Sequence, residues 1–178
     1  MSCECGDFQR ALADSPDTVT DFVESLIDGT LIAEVVGQYQ VGASPAEDDL
    51  DVDEGETLVQ RTAVLKGLES GTPYVIAEST YVPDRLPALV RAQLSWTHDT
   101  IGRALVRSGL KVERGSPSQP YEPGEPAAHA IATTPSEIVW SRAYLLLVDG
   151  TATFAVQEWF LRPVLDAFER KALGAAIG

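Results

Sequence analysis

Four charged side chains in this chain fall where charges are costly: Arg61, Glu78, Arg142 and Glu158. Each lies in a stretch with strand character, on the more apolar of its two alternating faces. Glu158 shares a face with Phe154, Val156 and Phe160. Arg61 shares one with Val59, Ala63 and Leu65, Glu78 with Tyr74, Ile76 and Val82, and Arg142 with Ile138, Trp140, Tyr144 and Leu146. A buried charge needs a partner. The set therefore reads either as two internal ion pairs, Arg61 with Glu78 and Arg142 with Glu158, or as a polar pocket inside a sheet. An arginine fork grips a carboxylate well, so an anionic small molecule is the natural ligand for Arg61 or Arg142.

The elements that must carry these residues follow in order. Helices are expected over 7–14 and 18–28, the second capped by Asp17 or Thr18 and stopped by Gly29. A first strand spans 30–41, with Gly37 as a bulge. From Glu47 to Glu56 seven of ten residues are acidic, but the spacing of a calcium loop is absent, so a solvated loop is expected. Strands follow at 57–67 and 72–82, turned at Glu69-Ser70-Gly71. Two short helices cover 87–95 and 99–108, with Asp99 as cap and Gly109 as stop. A strand is expected at 110–114 and an exposed Pro- and Gly-rich loop at 115–128. Strands at 137–148 and 152–161 are joined by Asp149-Gly150, and Pro163 opens a final helix over 163–173. This order predicts an α+β fold: one domain over 1–178 with an antiparallel β-sheet flanked by helices.

Composition narrows the partners. The chain has 178 residues, 44% of them hydrophobic, and a net charge of −14, which argues against nucleic acid and against an anionic membrane surface. No apolar run approaches the ~20 residues of a spanning helix. Met1 to Cys5 lacks the basic and apolar regions of a signal peptide, so a cytoplasmic location is expected. Cys3 and Cys5 lack the further ligands of a zinc site and read as thiols of a frayed terminus. Phosphate-binding Gly-rich loops and Gly-x-Ser-x-Gly elbows are missing. A histidine triad would have to rest on His98 or His129, which sit in loop or helix-end settings.

Six segments in register resemble the chorismate pyruvate-lyase family, and most closely its bacterial and archaeal branch once known as a domain of unknown function. They are Gln60 to Gly67, Ala77-Glu78-Ser79, Asp84-Arg85-Leu86-Pro87, Thr97 to Gly102, Arg142-Ala143-Tyr144 and Glu158 to Arg162. The match runs over about 57–165; residues 1–45 correspond only in being helix, helix, strand. The resemblance implies a cofactor-free lyase that splits chorismate into 4-hydroxybenzoate and pyruvate in a pocket sealed under flaps. It assigns Arg61 to the ring carboxylate, a backbone amide of Ile101 or Gly102 to the same ligand, and Glu158 to the ring hydroxyl. Arg142 is then expected to hold the second carboxylate. The best-known enzymes of the family carry an arginine in the strand aligned with 74–82, where this chain has Glu78 and Ser79; Glu78 is expected either in the pocket or as a partner of an arginine. The same fold also admits another lyase or cyclase reaction, or a free-standing effector-binding domain, because fold does not fix function. Transcription regulators with this fold carry a DNA-binding domain ahead of it. The roughly 55 residues before the matched region are acidic and lack a basic recognition helix.

Overall fold

A computed structural model describes residues 3–44, 49–96, 98–116, 124–127, 130–131 and 136–177. Helices α1 (Cys3–Asp14) and α2 (Val19–Ile27) lead into β1 (Leu31–Gly42), β2 (Thr57–Gly67) and β3 (Pro73–Tyr81). A short 3-10 turn, Pro83–Arg85, precedes α3 (Ala88–Trp96) and α4 (Ile101–Arg107). The chain closes with β4 (Val112–Gly115), β5 (Ile138–Val148), β6 (Thr151–Leu161) and α5 (Arg162–Ile177). The six strands form one sheet in the order β1-β2-β3-β6-β5-β4, antiparallel at every pairing. The α+β architecture expected from the sequence is the one observed.

Helices α1 to α5 lie on one face of this sheet and form two cores. At one end Phe8, Leu12, Phe22, Val23, Val164 and Leu165 pack on Ala33, Leu65, Val75 and Phe160. At the other, Leu86, Val90, Leu94, Ala104 and Leu105 pack on Val59, Tyr81, Phe154 and Val156. Between the two cores the same face stays open, and the cavity described below occupies that seam. The opposite face is covered by Ala130 over Val64, Ile76 and Trp159, and by Ala43 and Leu50 over Leu58 and Leu145.

Local details differ from expectation for identifiable reasons. α1 begins well before residue 7, and its buried Cys5 is part of the fold rather than of a frayed end. The anchor is Phe8, fully buried, with its ring edge-on to Phe22, Trp140, Phe160 and Phe168. Thr18 caps α2, its hydroxyl accepting the Asp21 amide. The helix ends at Asp28, which takes the left-handed conformation itself (φ 50°), so Gly29 is not the stop. Thr100, not Asp99, caps α4. The bulge of β1 falls at Val36, between the paired residues Val35 and Gly37, one residue before the glycine expected to form it. The acidic stretch is not wholly solvated, because Leu50 is buried and Arg85 donates to the carbonyls of Leu50, Asp51 and Ala152. Most of the expected loop at 115–128 lies outside the described residues. Among the described residues no helix is long and apolar enough to cross a membrane.

Candidate active site

Register decides which charges meet. Arg61 pairs with Ser79, which pairs with Val156; Ala63 pairs with Ala77, which pairs with Glu158, which pairs with Arg142. Paired residues share a sheet face, so Arg61, Glu158 and Arg142 all point to the helix-covered side. Thr62, not Arg61, stands opposite Glu78. That one-residue offset turns Glu78 to the far face, where its Oε1 accepts the Ala127 amide at 2.6 Å. Glu78 is therefore neither a pocket residue nor the partner of Arg61.

A cavity of about 380 Å³ fills the seam. Its floor is the strand surface of Arg61, Ala63, Ala77, Ser79, Val156 and Glu158. Its walls come from the α1–α2 connection and first turn of α2 (Ser15 to Thr20), from Thr100, Ile101 and Gly102 at the start of α4, and from Arg114 and Tyr144. Gly102 sits at a close approach: a Cβ there would lie 3.0 Å from Thr18 Cγ2, so α2 would have to give slightly to admit one. The starts of α2 and α4 thus meet over the cavity.

Arg61 is 4% exposed. Its Nη2 donates to the Asp99 carbonyl at 3.1 Å, tying the strand to the start of α4. Its Nε is buried without a partner, and no carboxylate pairs with it among the described residues. Burial lowers its pKa, with the nearby Tyr81 opposing the shift. This is a desolvated cation facing a cavity, the signature of an anion site.

Glu158, 2% exposed, is held from two sides. Arg142 Nε donates to Oε2 at 2.8 Å and the Tyr144 hydroxyl to Oε1 at 2.8 Å. Each carboxylate oxygen retains a further acceptor position. Arg142 is not among the cavity-lining residues. Its guanidinium lies 4.9 Å from the Tyr144 ring centroid and 5.5 Å from that of Phe160. Burial alone would lower its pKa, but Glu158 and Tyr144 outweigh burial and the net shift is upward. Arg142 is thus the structural partner of Glu158, which corrects its expected place against a ligand carboxylate. Burial, then Glu158, pushes the Tyr144 phenol well above its ordinary value, so it remains a donor.

Of the residues expected from sequence, Arg61, Ile101, Gly102 and Glu158 come together around the cavity. Thr20, Arg114 and Tyr144 also line it and were not singled out. Tyr144 is signalled by sharing the face of Arg142 and by lying in one of the six family-like segments, and Thr20 and Arg114 by nothing local. His98 docks its loop on β1 through Ala33, and His129 lies outside the described residues.

No family model matches the chain. A chorismate pyruvate-lyase of Mycobacterium tuberculosis is 30% identical over 161 residues, covering 87% of this chain and 80% of that protein. This chain belongs to the chorismate pyruvate-lyase family. A Mycobacterium leprae member of the family is 26% identical over 167 residues, 92% of this chain and 79% of that protein. Among solved structures, the fold of this family member matches PhnF from Mycobacterium smegmatis (TM-score 0.55, 14% identity, 84% of this chain and 66% of that one). It also matches the effector domain of PhnF (TM-score 0.53, 16% identity, 83% and 90%) and a GntR-family transcriptional regulator from Bacillus cereus (TM-score 0.51, 11% identity, 75% and 92%). At these identities the structural matches speak to fold alone.

Proposed function

We propose that the chain is a chorismate pyruvate-lyase, converting chorismate to 4-hydroxybenzoate and pyruvate without a cofactor. The observation that carries the reading is the unpaired, buried Arg61 guanidinium facing the same cavity as the fixed Glu158 carboxylate, in a member of this family. Strand spacing and rise put the two Cα atoms roughly 12 Å apart, which leaves room between the side-chain ends for a ring carrying a carboxylate and a para hydroxyl. Arg61 holds the ring carboxylate. Glu158 accepts a hydrogen bond from the ring hydroxyl, oriented by Arg142 and Tyr144.

The reaction asks little acid–base chemistry of the protein. The ether C–O bond breaks with its electron pair leaving on enolpyruvate. The hydrogen on the hydroxyl-bearing carbon is lost as a proton, and the ring becomes aromatic. Enolpyruvate takes a proton at its methylene carbon to give pyruvate. Aromatisation supplies the driving force, and the cavity supplies orientation and exclusion of water.

The test is incubation of the purified protein with chorismate, with both products quantified. Equimolar 4-hydroxybenzoate and pyruvate, abolished by Arg61→Ala, is the expected result. The second reading is an effector-binding domain, favoured by the fold shared with the PhnF effector domain. Chorismate that survives while 4-hydroxybenzoate still binds would select that reading.

A further inference from the structure

Chorismate carries two carboxylates, and the cavity offers two cations. Among the described lining residues these are Arg61 and Arg114. Arg142 is not the second: it does not line the cavity, its Nε is committed to Glu158, and its guanidinium lies against the Tyr144 and Phe160 rings, leaving Nη2 buried without a partner.

Arg114 pairs with Leu146 in register, which turns it to the cavity face. It stands exposed at the mouth, its Nη2 donating to the Asp17 carbonyl at 2.9 Å and its Cζ 5.8 Å from the Tyr144 ring centroid. No acidic side chain pairs with it among the described residues. The Asp17 carboxylate also lies at the mouth, 3.5 Å from the Ser15 hydroxyl.

Across from Arg114 the first turn of the nine-residue α2 enters the cavity wall. Val19 and Thr20 precede the first intrahelical bond, made by the Phe22 amide to the Thr18 carbonyl, so this is the positive end of the helix. The independent sign of a ligand is Thr20. It is 1% exposed, it lines the cavity, and its hydroxyl has no hydrogen-bond partner. Buried hydroxyls are nearly always satisfied, and a carboxylate oxygen in the cavity would satisfy this one.

We infer that Arg114 and the Thr20 hydroxyl, at the start of α2, form the subsite for the second, side-chain carboxylate of the substrate. The inference rests on the chorismate reading and adds to it a discriminator between a dianion and its monocarboxylate product. The product released from this subsite is pyruvate, while 4-hydroxybenzoate stays held by Arg61 and Glu158.

The experiment compares the parent with Arg114→Gln and Thr20→Val. Two quantities are read: kcat/KM for chorismate, and Kd for 4-hydroxybenzoate by titration calorimetry. The expected result is a fall of about tenfold or more in kcat/KM for each variant, the size of one lost charge-assisted hydrogen bond, with Kd for 4-hydroxybenzoate held within about twofold. Thr20→Val is expected to melt no lower than the parent, because it removes an unsatisfied buried hydroxyl. Unchanged kcat/KM in both variants, or equal losses in both quantities, overturns the subsite while the lyase reading stands. A parent protein that makes neither product removes the lyase reading, and the subsite with it.

Discussion

Arg61 and Glu158 are both buried charges, but substitution should expose opposite energetics. Arg61 has no anionic partner among the described residues, so replacing it with an apolar side chain of similar length removes a desolvation cost. Arg61→Met should therefore be about as stable as the parent or about 1 kcal/mol more so, while losing 4-hydroxybenzoate binding; urea midpoints and calorimetry check the two halves. Glu158 takes one protein donor on each carboxylate oxygen. Glu158→Gln leaves one acceptor oxygen to serve both Arg142 and Tyr144, and should cost about 3 kcal/mol in urea unfolding. Arg142→Met combined with Glu158→Leu should recover most of that loss and remain inactive. Tyr144 and Tyr81 both have raised pKa values, chiefly through burial. The folded state keeps these phenols protonated where the unfolded state would release the proton. Their contribution is fully present below the unfolded value of about 10 and is lost as pH rises toward the higher folded values. Stability should fall above about pH 10, and fall less in Tyr144→Phe, as read from denaturant midpoints between pH 8 and 11.

At the scale of elements, the site depends on two helix starts brought over the sheet. Gly102 sits where they meet. Gly102→Ala gains helix propensity of up to about 1 kcal/mol and meets the Thr18 methyl, at a cost of similar size. The melting temperature should therefore move little, while KM for chorismate rises as α2 is displaced. α1 contributes differently, through the ring cluster on Phe8. Phe8→Ala should destabilise by about 3–5 kcal/mol, measured by urea unfolding, because α1 would lose its central anchor in the core.

For the molecule as a whole, a net charge of −14 opposes the approach of an anion. Added salt screens that long-range repulsion more than it screens the buried contacts of Arg61. Second-order turnover of chorismate should therefore rise between about 10 and 150 mM salt, where the Debye length shortens from about 30 to 8 Å. Stopped-flow or initial-rate kinetics across that range would check it.

Much of this was legible in the chain itself. Period-two apolar patterning located every long strand, because one face of each must be buried. The same patterning marked Arg61 and Glu158, because a charge on an apolar face contradicts its neighbours. Six short segments were enough to indicate the family. What the sequence alone could not supply was the pairing of strands. Glu78 and Arg142 satisfied the same pattern as Arg61, yet a one-residue register offset sent Glu78 to the far face, and the direct opposition of Arg142 to Glu158 made that arginine an internal partner. Arg114 and Thr20 were invisible for the complementary reason. Each is an ordinary residue in its own segment, and only the tertiary structure sets the end of β4 and the start of α2 at one cavity mouth. Local patterning reports whether a side chain is buried; only long-range pairing decides what it is buried against.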